Sequence, residues 1–321
     1  MKRRWGTVLV ALGAILCLGS ASASASGVRI SPLPAAEAGR FWTPARMRQA
    51  KPLEVTGPRS SAPLSKKHGP QGRPHRIAAE AARPAGFGSD FEPVADSTAP
   101  GDRVHGAIFL ALGILGYGRC SGTAVRSANE SVVFTAAHCI NSGGRRGRWF
   151  KSRWVFVPGY RYGQRPFGVF PAKWLDTTKQ WRSSGSENFD VAAAVVGRNQ
   201  RGETLGEAVG GAGIAWNLKT QRSFDVHGYP SEEPFDGETQ RVCPGAPFLG
   251  HDPESFLAPG PLNLAVSCEV TGGASGGGWI IDGGTLNGVT DYGYFDDTSP
   301  DYGPYFGNEV ARLYGRAARV R

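Results

Sequence analysis

No apolar run in this 321-residue sequence is long enough to cross a bilayer. The longest, Val8 to Leu18, falls short of the about 20 residues that a transmembrane helix needs. It follows a basic start at residues 1–4 and precedes alternating alanines and serines at residues 21–25, which is the pattern of a secretory signal peptide. We therefore expect residues 1–25 to be a signal peptide and the mature chain to be secreted, extracellular and without stable membrane association.

Cysteine is scarce, with five residues in the chain. Cys17 lies in the leader and is expected to leave with it. The remaining four are Cys120, Cys139, Cys243 and Cys268. An even number in an exported chain is typical of two disulfides. Free buried thiols and a metal site are the alternatives, but the absence of C-x-x-C spacing argues against a zinc knuckle.

Residues 28–100 contain no cysteine and few aromatic residues, but they hold 11 of the 23 prolines. They carry 11 Lys and Arg against 6 Asp and Glu. A segment of this composition cannot bury much apolar surface. We therefore predict that residues 26–100 are a largely disordered pro-segment or linker, and that the folded domain spans residues 101–321.

The excess of positive charge belongs mostly to these N-terminal residues. From residue 101 onward the chain has 22 basic and 21 acidic residues, so the predicted domain is nearly neutral. This balance gives no reason to expect a nucleic-acid partner.

Helical periodicity is lacking over most of the predicted domain. Short apolar runs separated by Gly, Pro and Asn favour an all-β sandwich or barrel. The strand candidates are Ala107–Leu112, Gly122–Val125, Val132–Thr135, Trp154–Val157, Val191–Val196, Phe224–Gly228, Leu264–Cys268, Trp279–Ile281 and Leu286–Asp291. A single amphipathic helix is predicted at the C-terminus, with Asn308 as its N-cap. Its apolar positions are Val310, Leu313, Tyr314 and Ala317.

The stretch from Thr271 to Trp279 contains five glycines and one serine, Ser275. Glycine permits positive φ and close approach of a substrate. A serine on such a turn can be presented beside backbone N–H groups, which is what nucleophilic acyl transfer requires. Taken alone, the stretch is equally compatible with a flexible loop that carries an incidental serine.

A second stretch, Val132 to Cys139, is an apolar run that ends in small residues, a histidine and a cysteine. Cys139 can pair with Cys120 and so fix the position of His138. A lone histidine is more often a satisfied core residue, but the adjacent half-cystine makes that interpretation weaker.

A third stretch places Asp190 at the head of an apolar strand. A carboxylate is costly to bury there without a partner, and a histidine N–H would supply one. A turn aspartate is the simpler alternative. The other aspartates between His138 and Ser275 are Asp176, Asp225, Asp236 and Asp252, and we select Asp190.

Together these stretches resemble the motifs of the chymotrypsin-like serine peptidases, in which His, Asp and Ser occur in this order. The segments Phe156–Tyr160 and Val226–Pro230 are similar to the secreted bacterial branch, with its glutamyl-endopeptidase-like and trypsin-like members. The resemblance extends over residues 103–316. It implies two packed six-stranded antiparallel β-barrels followed by a C-terminal α-helix.

The resemblance also implies a mechanism. His138, Asp190 and Ser275 would form the catalytic triad of a serine endopeptidase, and the N–H groups of Gly273 and Ser275 would form the oxyanion hole. The substrate would be a protein or peptide, no cofactor or metal would be needed, and the enzyme is expected to be a monomer. A catalytically inactive binding module with the same fold is the alternative function.

Substrate-binding candidates carried over from the resemblance are Glu269, Thr271, Asp291, Tyr292 and Gly293. Glu269 near the pocket base would favour Lys or Arg at the cleaved bond, unless it faces solvent. His227 and Thr271 could instead line a pocket for acidic side chains.

Two positions depart from the family pattern. Ala274 stands where the animal digestive enzymes have an aspartate that pairs with the freed N-terminus, so removal of a pro-segment must act in another way, such as unblocking the cleft. Asp291 stands where the family has a serine, and it could either support or repel Asp190.

Residue order argues against two other hydrolases. Gly273 to Gly277 also fits the G-x-S-x-G elbow of α/β-hydrolases, but that fold places its histidine after the serine, and the last histidine here is His251. A subtilisin order would need Asp102 before His138, and the surrounding motifs do not fit it.

Overall fold

The computed structural model describes residues 27–31, 33–53, 56–57, 69–81, 90–253, 255, 260–294 and 297–321. The predicted signal peptide, residues 1–25, lies outside the described residues. Within them, no helix has the length and apolar character needed to span a membrane. The described residues are mostly β-structure with a C-terminal helix, which confirms the predicted fold class.

The strands are β1 (Val28–Arg29), β2 (Lys51–Pro52), β3 (Thr56–Gly57), β4 (His75–Ile77), β5 (Glu92–Pro93), β6 (His105–Ala111), β7 (Tyr117–Val125), β8 (Val132–Thr135), β9 (Val155–Pro158), β10 (Phe170–Thr177), β11 (Ala192–Val196), β12 (Gly213–Trp216), β13 (Ser223–Gly228), β14 (Arg241–His251), β15 (Leu264–Val266), β16 (Gly278–Ile281), β17 (Thr285–Val289), β18 (Tyr292–Tyr294) and β19 (Asp297–Gly303). The α-helices are α1 (Ala35–Phe41), α2 (Pro44–Gln49), α3 (Lys179–Ser184), α4 (Leu205–Val209) and α5 (Asn308–Ala317), and 3₁₀ turns span Gly113–Leu115, Ala137–Cys139 and Glu187–Phe189.

Strands β6 to β11 form a closed antiparallel barrel of six strands. The neighbours run β10, β11, β8, β7, β6 and β9, and β9 pairs with β10 again. Every residue of β8 and β11 is buried, which explains their continuous apolar sequences. The ends of these two central strands carry the histidine turn and the segment of Asp190 into the same place.

The second sheet follows the path β18, β19, β15, β14, β13, β16 and β17. The backbone N–H of Asp291, directly before β18, donates to the oxygen of Tyr302 in β19 at 2.8 Å, which extends the pairing of β18 with β19. The apolar core between them includes Phe224, Val266 and Trp279. The disulfide between Cys243 and Cys268 crosses this core.

Helix α5 returns from the second sheet to pack on the first barrel. Val310, Leu313 and Ala317 are buried, as the sequence predicts. Its N-cap is Gly307, so the prediction of Asn308 as the cap is wrong by one residue. The Asn308 side chain instead accepts a hydrogen bond from the Asn217 amide at 2.8 Å, because a tertiary partner is available to it.

The segment before the barrels has more structure than its composition indicates. Helices α1 and α2 lie within residues 33–53, and Trp42 and Met47 are fully buried with Phe109 of β6. The Trp42 indole N–H donates to the backbone oxygen of Arg153 at 2.8 Å. The expectation of disorder came from the average composition of the segment. An average does not show that two single residues, Trp42 and Met47, pack in a buried cluster with Phe109 of β6.

Candidate active site

The first part of the site is the turn that carries His138. Strand β8 ends at Thr135, and the 3₁₀ turn Ala137–Cys139 follows it. A disulfide joins Cys139 to Cys120 of β7, with a Cα–Cα distance of 6.2 Å. Because the preceding alanines are buried and small, the turn packs closely against the barrel and holds the imidazole at its edge.

His138 and Asp190 form a buried pair. Nδ1 of His138 lies 2.8 Å from Oδ2 of Asp190, and Asp190 is completely buried. The other carboxylate oxygen, Oδ1, accepts hydrogen bonds from the backbone N–H groups of Ala137 and, at 2.9 Å, His138. Three donors therefore compensate the burial of this carboxylate and fix Nδ1 as the protonated nitrogen.

The opposite nitrogen of the imidazole contacts the N-terminal segment. Nε2 of His138 lies 3.1 Å from the backbone oxygen of Leu53. A carbonyl oxygen only accepts hydrogen bonds, so Nε2 must carry a proton in this contact. Nδ1 also faces an acceptor, so this arrangement favours the imidazolium form of His138. In the part of the chain that the structure describes, no hydrogen bond joins Nε2 to the hydroxyl of Ser275.

The loop that carries Ser275 is anchored on the first barrel. The backbone oxygen of Ser275 accepts a hydrogen bond from Ser121 N at 2.8 Å, and lies 3.7 Å from Sγ of Cys139. The Ser121 hydroxyl donates to the oxygen of Gly273 at 2.9 Å. The structure therefore brings the serine loop to the histidine turn, with β7 as the common support.

Glycine is required at Gly276 by both conformation and space. Its φ is +80°, and a Cβ there would lie 2.0 Å from Oγ1 of Thr135 and 2.5 Å from the oxygen of Ser121. Gly273 has φ of +97°. Among the described residues, neither the Gly273 N–H nor the Ser275 N–H has a backbone acceptor, so both donors remain available to a ligand.

Glu269, Thr271 and His227, the candidates for the specificity pocket, differ in their surroundings. The Glu269 side chain is exposed, which agrees with the alternative that it faces solvent. The Thr271 hydroxyl donates to the backbone oxygen of Glu232 at 3.2 Å. His227 lies in β13, buried and stacked on His105 with ring centroids 3.8 Å apart.

Two further candidates, Tyr292 and Gly293, lie on β18. The Tyr292 hydroxyl donates to the buried carboxylate of Asp252, so this side chain is fixed in the second sheet. Gly293 pairs in parallel with Thr56 of the N-terminal segment. The backbone of β18 therefore already pairs with the N-terminal segment of the same chain.

Asp291 lies beside the His138–Asp190 pair. Its Oδ1 is 3.6 Å from Nδ1 of His138, and the side chain is 1% exposed. Burial, and next the Asp190 carboxylate, raise the pKa of Asp291 well above its usual range. Donor atoms of the three residues lie within 4.8 Å of one another. Because Nδ1 already donates to Asp190, we interpret the group as a hydrogen-bonded pair with an adjacent acid and assign it no metal.

Sequence reasoning missed Leu53 and Ser121. Ser121 was visible in the run around Cys120, since a half-cystine that pairs beside the histidine places its neighbours in the site. No local signal marked Leu53. Its contact with His138 arises only after β2 pairs with β7, and the two residues are far apart in the sequence.

Comparison with known proteins gives structural relatives only. No family model matches the sequence, and no curated protein matches it. The solved structure of protease Anisep from Arthrobacter nicotinovorans is 35% identical, with a TM-score of 0.62, and covers 70% of this chain and 99% of its own. The thermostable serine protease AL20 from an extremophilic microorganism is 32% identical, with a TM-score of 0.62, and covers 69% of this chain and 100% of its own. A Glu endopeptidase is 15% identical, with a TM-score of 0.56 and coverage of 73% and 98%, and supports the fold alone.

Proposed function

Because this chain belongs to the chymotrypsin-like serine proteases, we propose that it is a secreted serine endopeptidase whose triad is His138, Asp190 and Ser275. The observation that carries this proposal is the buried hydrogen bond of 2.8 Å between Nδ1 of His138 and Asp190. That bond leaves Nε2 as the nitrogen that faces the rest of the site, which is the position of a general base.

The proposed reaction has two halves. In the first, Nε2 of neutral His138 takes the proton of Ser275 as the serine oxygen bonds to a peptide carbonyl carbon. The imidazolium gives this proton to the leaving amine when the carbon–nitrogen bond breaks, which leaves an acyl-enzyme. In the second half, water replaces the amine, and Ser275 regains its proton through His138. Asp190 stays ionised and stabilises the imidazolium in both halves.

The oxyanion of each tetrahedral intermediate would accept hydrogen bonds from the N–H groups of Gly273 and Ser275. The lack of a backbone acceptor for either group in the described residues supports this role. Preorganised donors of this kind each lower the barrier by about 3–4 kcal/mol. Gly273 has a positive φ, a backbone conformation that favours glycine at this position of the loop.

We further propose that residues 26–100 are a pro-segment that blocks the cleft. β2 pairs in parallel with β7 through Lys51 and Pro52, and Leu53 N donates to the oxygen of Arg119 at 3.1 Å. The Leu53 oxygen then holds Nε2 of His138 in the protonated form, which cannot act as a base. β3 likewise pairs in parallel with β18, so the N-terminal segment also contacts the second sheet.

This blockage agrees with the sequence at position 274. Ala274 is buried and carries no charge that could pair with a freed N-terminus. Activation by removal of the segment therefore needs no new ion pair. It needs only that His138 loses the Leu53 contact and its extra proton. The two disulfides suit the oxidising environment outside the cell.

The test is covalent labelling of the exported protein by a fluorophosphonate probe, before and after the N-terminal segment is cleaved. We expect stoichiometric labelling of the cleaved form and none in Ser275→Ala. Ser267→Ala is the matched control, because Ser267 is a half-buried serine directly after β15 and outside the serine loop, and it should label like the parent. Peptidase activity or labelling in Ser275→Ala would refute the nucleophile. A cleaved parent that never labels would favour the inactive binding module.

A further inference from the structure

Asp291 is a buried acid that lies next to the His138–Asp190 pair. In the part of the chain that the structure describes, neither of its carboxylate oxygens accepts a hydrogen bond. Its side chain is 1% exposed, so bulk water does not supply the missing donors. A buried carboxylate without a partner is strongly disfavoured in its ionised form.

The neighbouring Asp190, in contrast, accepts hydrogen bonds from several donors. It accepts from the N–H groups of Ala137 and His138 and from Nδ1 of His138. Two adjacent buried carboxyl groups share one negative charge more favourably than they hold two. Because the donors all face Asp190, the charge resides on Asp190 and the proton on Asp291.

The surroundings of Asp291 strengthen this assignment. Four titratable groups face Asp291. They are Glu187 in the Glu187–Phe189 turn, Asp190 directly after that turn, Asp301 in β19, and His138 in the histidine turn. Only His138 can carry positive charge. One imidazolium can balance only one carboxylate, so a second ionised carboxylate at Asp291 would leave the buried cluster with a net negative charge.

We propose that Asp291 is protonated at neutral pH and donates that proton as a hydrogen bond to Asp190, which makes it a positioning residue of the His138–Asp190 pair. A neutral hydroxyl donor fixes the Asp190 carboxylate without adding a second negative charge beside the imidazole. It answers the alternative that the sequence leaves open: Asp291 supports Asp190 and does not repel it. The catalytic consequence rests on the proposed function, whereas the protonation state does not.

The first measurement therefore needs no activity. In the full chain labelled with ¹³C at the aspartate side-chain carboxyls, we expect two resonances to keep the chemical shift of a protonated acid at pH 7, one from Asp291 and one from Asp301, and the first to vanish in Asp291→Asn. Asp301→Asn is the control that identifies the other buried acid of this region. The proposal is overturned if the resonance that Asp291→Asn removes titrates near pH 4 with the ordinary aspartates.

The second measurement is the pH profile of kcat/KM in the cleaved enzyme. Asp291→Ala removes the donor, and we expect kcat to fall about 10-fold with little change in KM. Asp291→Ser and Asp291→Asn each restore a donor and should recover most of that loss, with the acidic limb unchanged in position. If Asp291 were ionised, Asp291→Asn would instead move the acidic limb down by about one pH unit or more. That result would overturn the proposal even if the triad were correct, and a wrong triad would leave the carboxyl resonance as expected.

Discussion

The backbone oxygen of Leu53 lies 3.1 Å from Nε2 of His138, the nitrogen that accepts a proton in the proposed reaction. This contact comes from a segment that the first barrel holds through α1, α2 and β2. The proposed blockage therefore depends on the packing of Trp42 and Met47, both fully buried, and on one backbone strand pairing. It requires no covalent link between the segment and the site.

Leu53→Pro should raise the peptidase rate of the uncleaved chain. Proline has no N–H, so the hydrogen bond from Leu53 N to the oxygen of Arg119 is lost and the adjacent oxygen is no longer held at His138. Loss of one such bond, worth about 1 kcal/mol, predicts roughly a 5-fold increase in initial rate. The measurement is the rate at which the uncleaved chain hydrolyses a chromogenic peptide. Cleavage of the N-terminal segment is monitored in the same samples, so that only uncleaved chain is compared.

Lys51→Ala is the control for this variant. The Lys51 side chain is exposed, and its backbone pairs with Gly118 whatever the side chain is. Its rate should match that of the parent. An uncleaved Leu53→Pro chain no faster than the parent would show that the Leu53 contact does not limit activity.

Gly276→Ala should destabilise the domain more than other glycine substitutions at positive φ. The new Cβ would meet Oγ1 of Thr135 at 2.0 Å, and φ is +80°. Conformational strain and overpacking together predict a loss of about 3 kcal/mol in the free energy of unfolding, measured by urea titration. Gly144→Ala has a similar φ of +70° with nothing within 4 Å of its Cβ, and should lose only about 1 kcal/mol. Equal losses would show that space around Gly276 is not the constraint.

The sequence predicted those parts of the site that depend on local pattern. Histidine and aspartate each follow or precede a buried strand, and adjacent central strands bring His138 and Asp190 together. The strands β10 and β14 were not predicted, because lysine, aspartate, proline and glycine interrupt their apolar pattern. The Leu53 contact and the proton on Asp291 were also beyond sequence reasoning, since both depend on which donors surround a group after folding.

Removal of the disulfide between Cys120 and Cys139, in the double alanine variant, should cost about 3 kcal/mol of unfolding free energy. The 25-residue separation of Cys243 and Cys268, against 19 for the first pair, predicts a similar cost for the second disulfide. Activity should separate the two variants. Only the first disulfide holds the turn of His138, so kcat should fall further in that variant when both are assayed well below their unfolding temperatures. The reverse order of kcat values would contradict this role.

Asp301 should make the stability of the protein depend on pH. Burial raises the pKa of Asp301 to about 8, although the Thr290 hydroxyl donates to it at 2.8 Å and opposes the shift. In the unfolded chain the group titrates near pH 4, as an ordinary aspartate does. Between about pH 4 and pH 8 the folded state therefore binds more protons than the unfolded state, and the free energy of unfolding falls as the pH rises.

Asp301→Asn removes this dependence, because an amide does not titrate and its oxygen can still accept from Thr290. Between pH 5 and pH 8, we expect the free energy of unfolding of the parent to fall by about 1–3 kcal/mol more than that of the variant, as measured by urea titration at each pH. Asp291 contributes a fall of the same sign, but it is present in both proteins and cancels in the comparison. Parallel pH dependences would mean that Asp301 is already ionised at pH 5. In that case the hydrogen bond from Thr290 would outweigh the burial of the carboxylate.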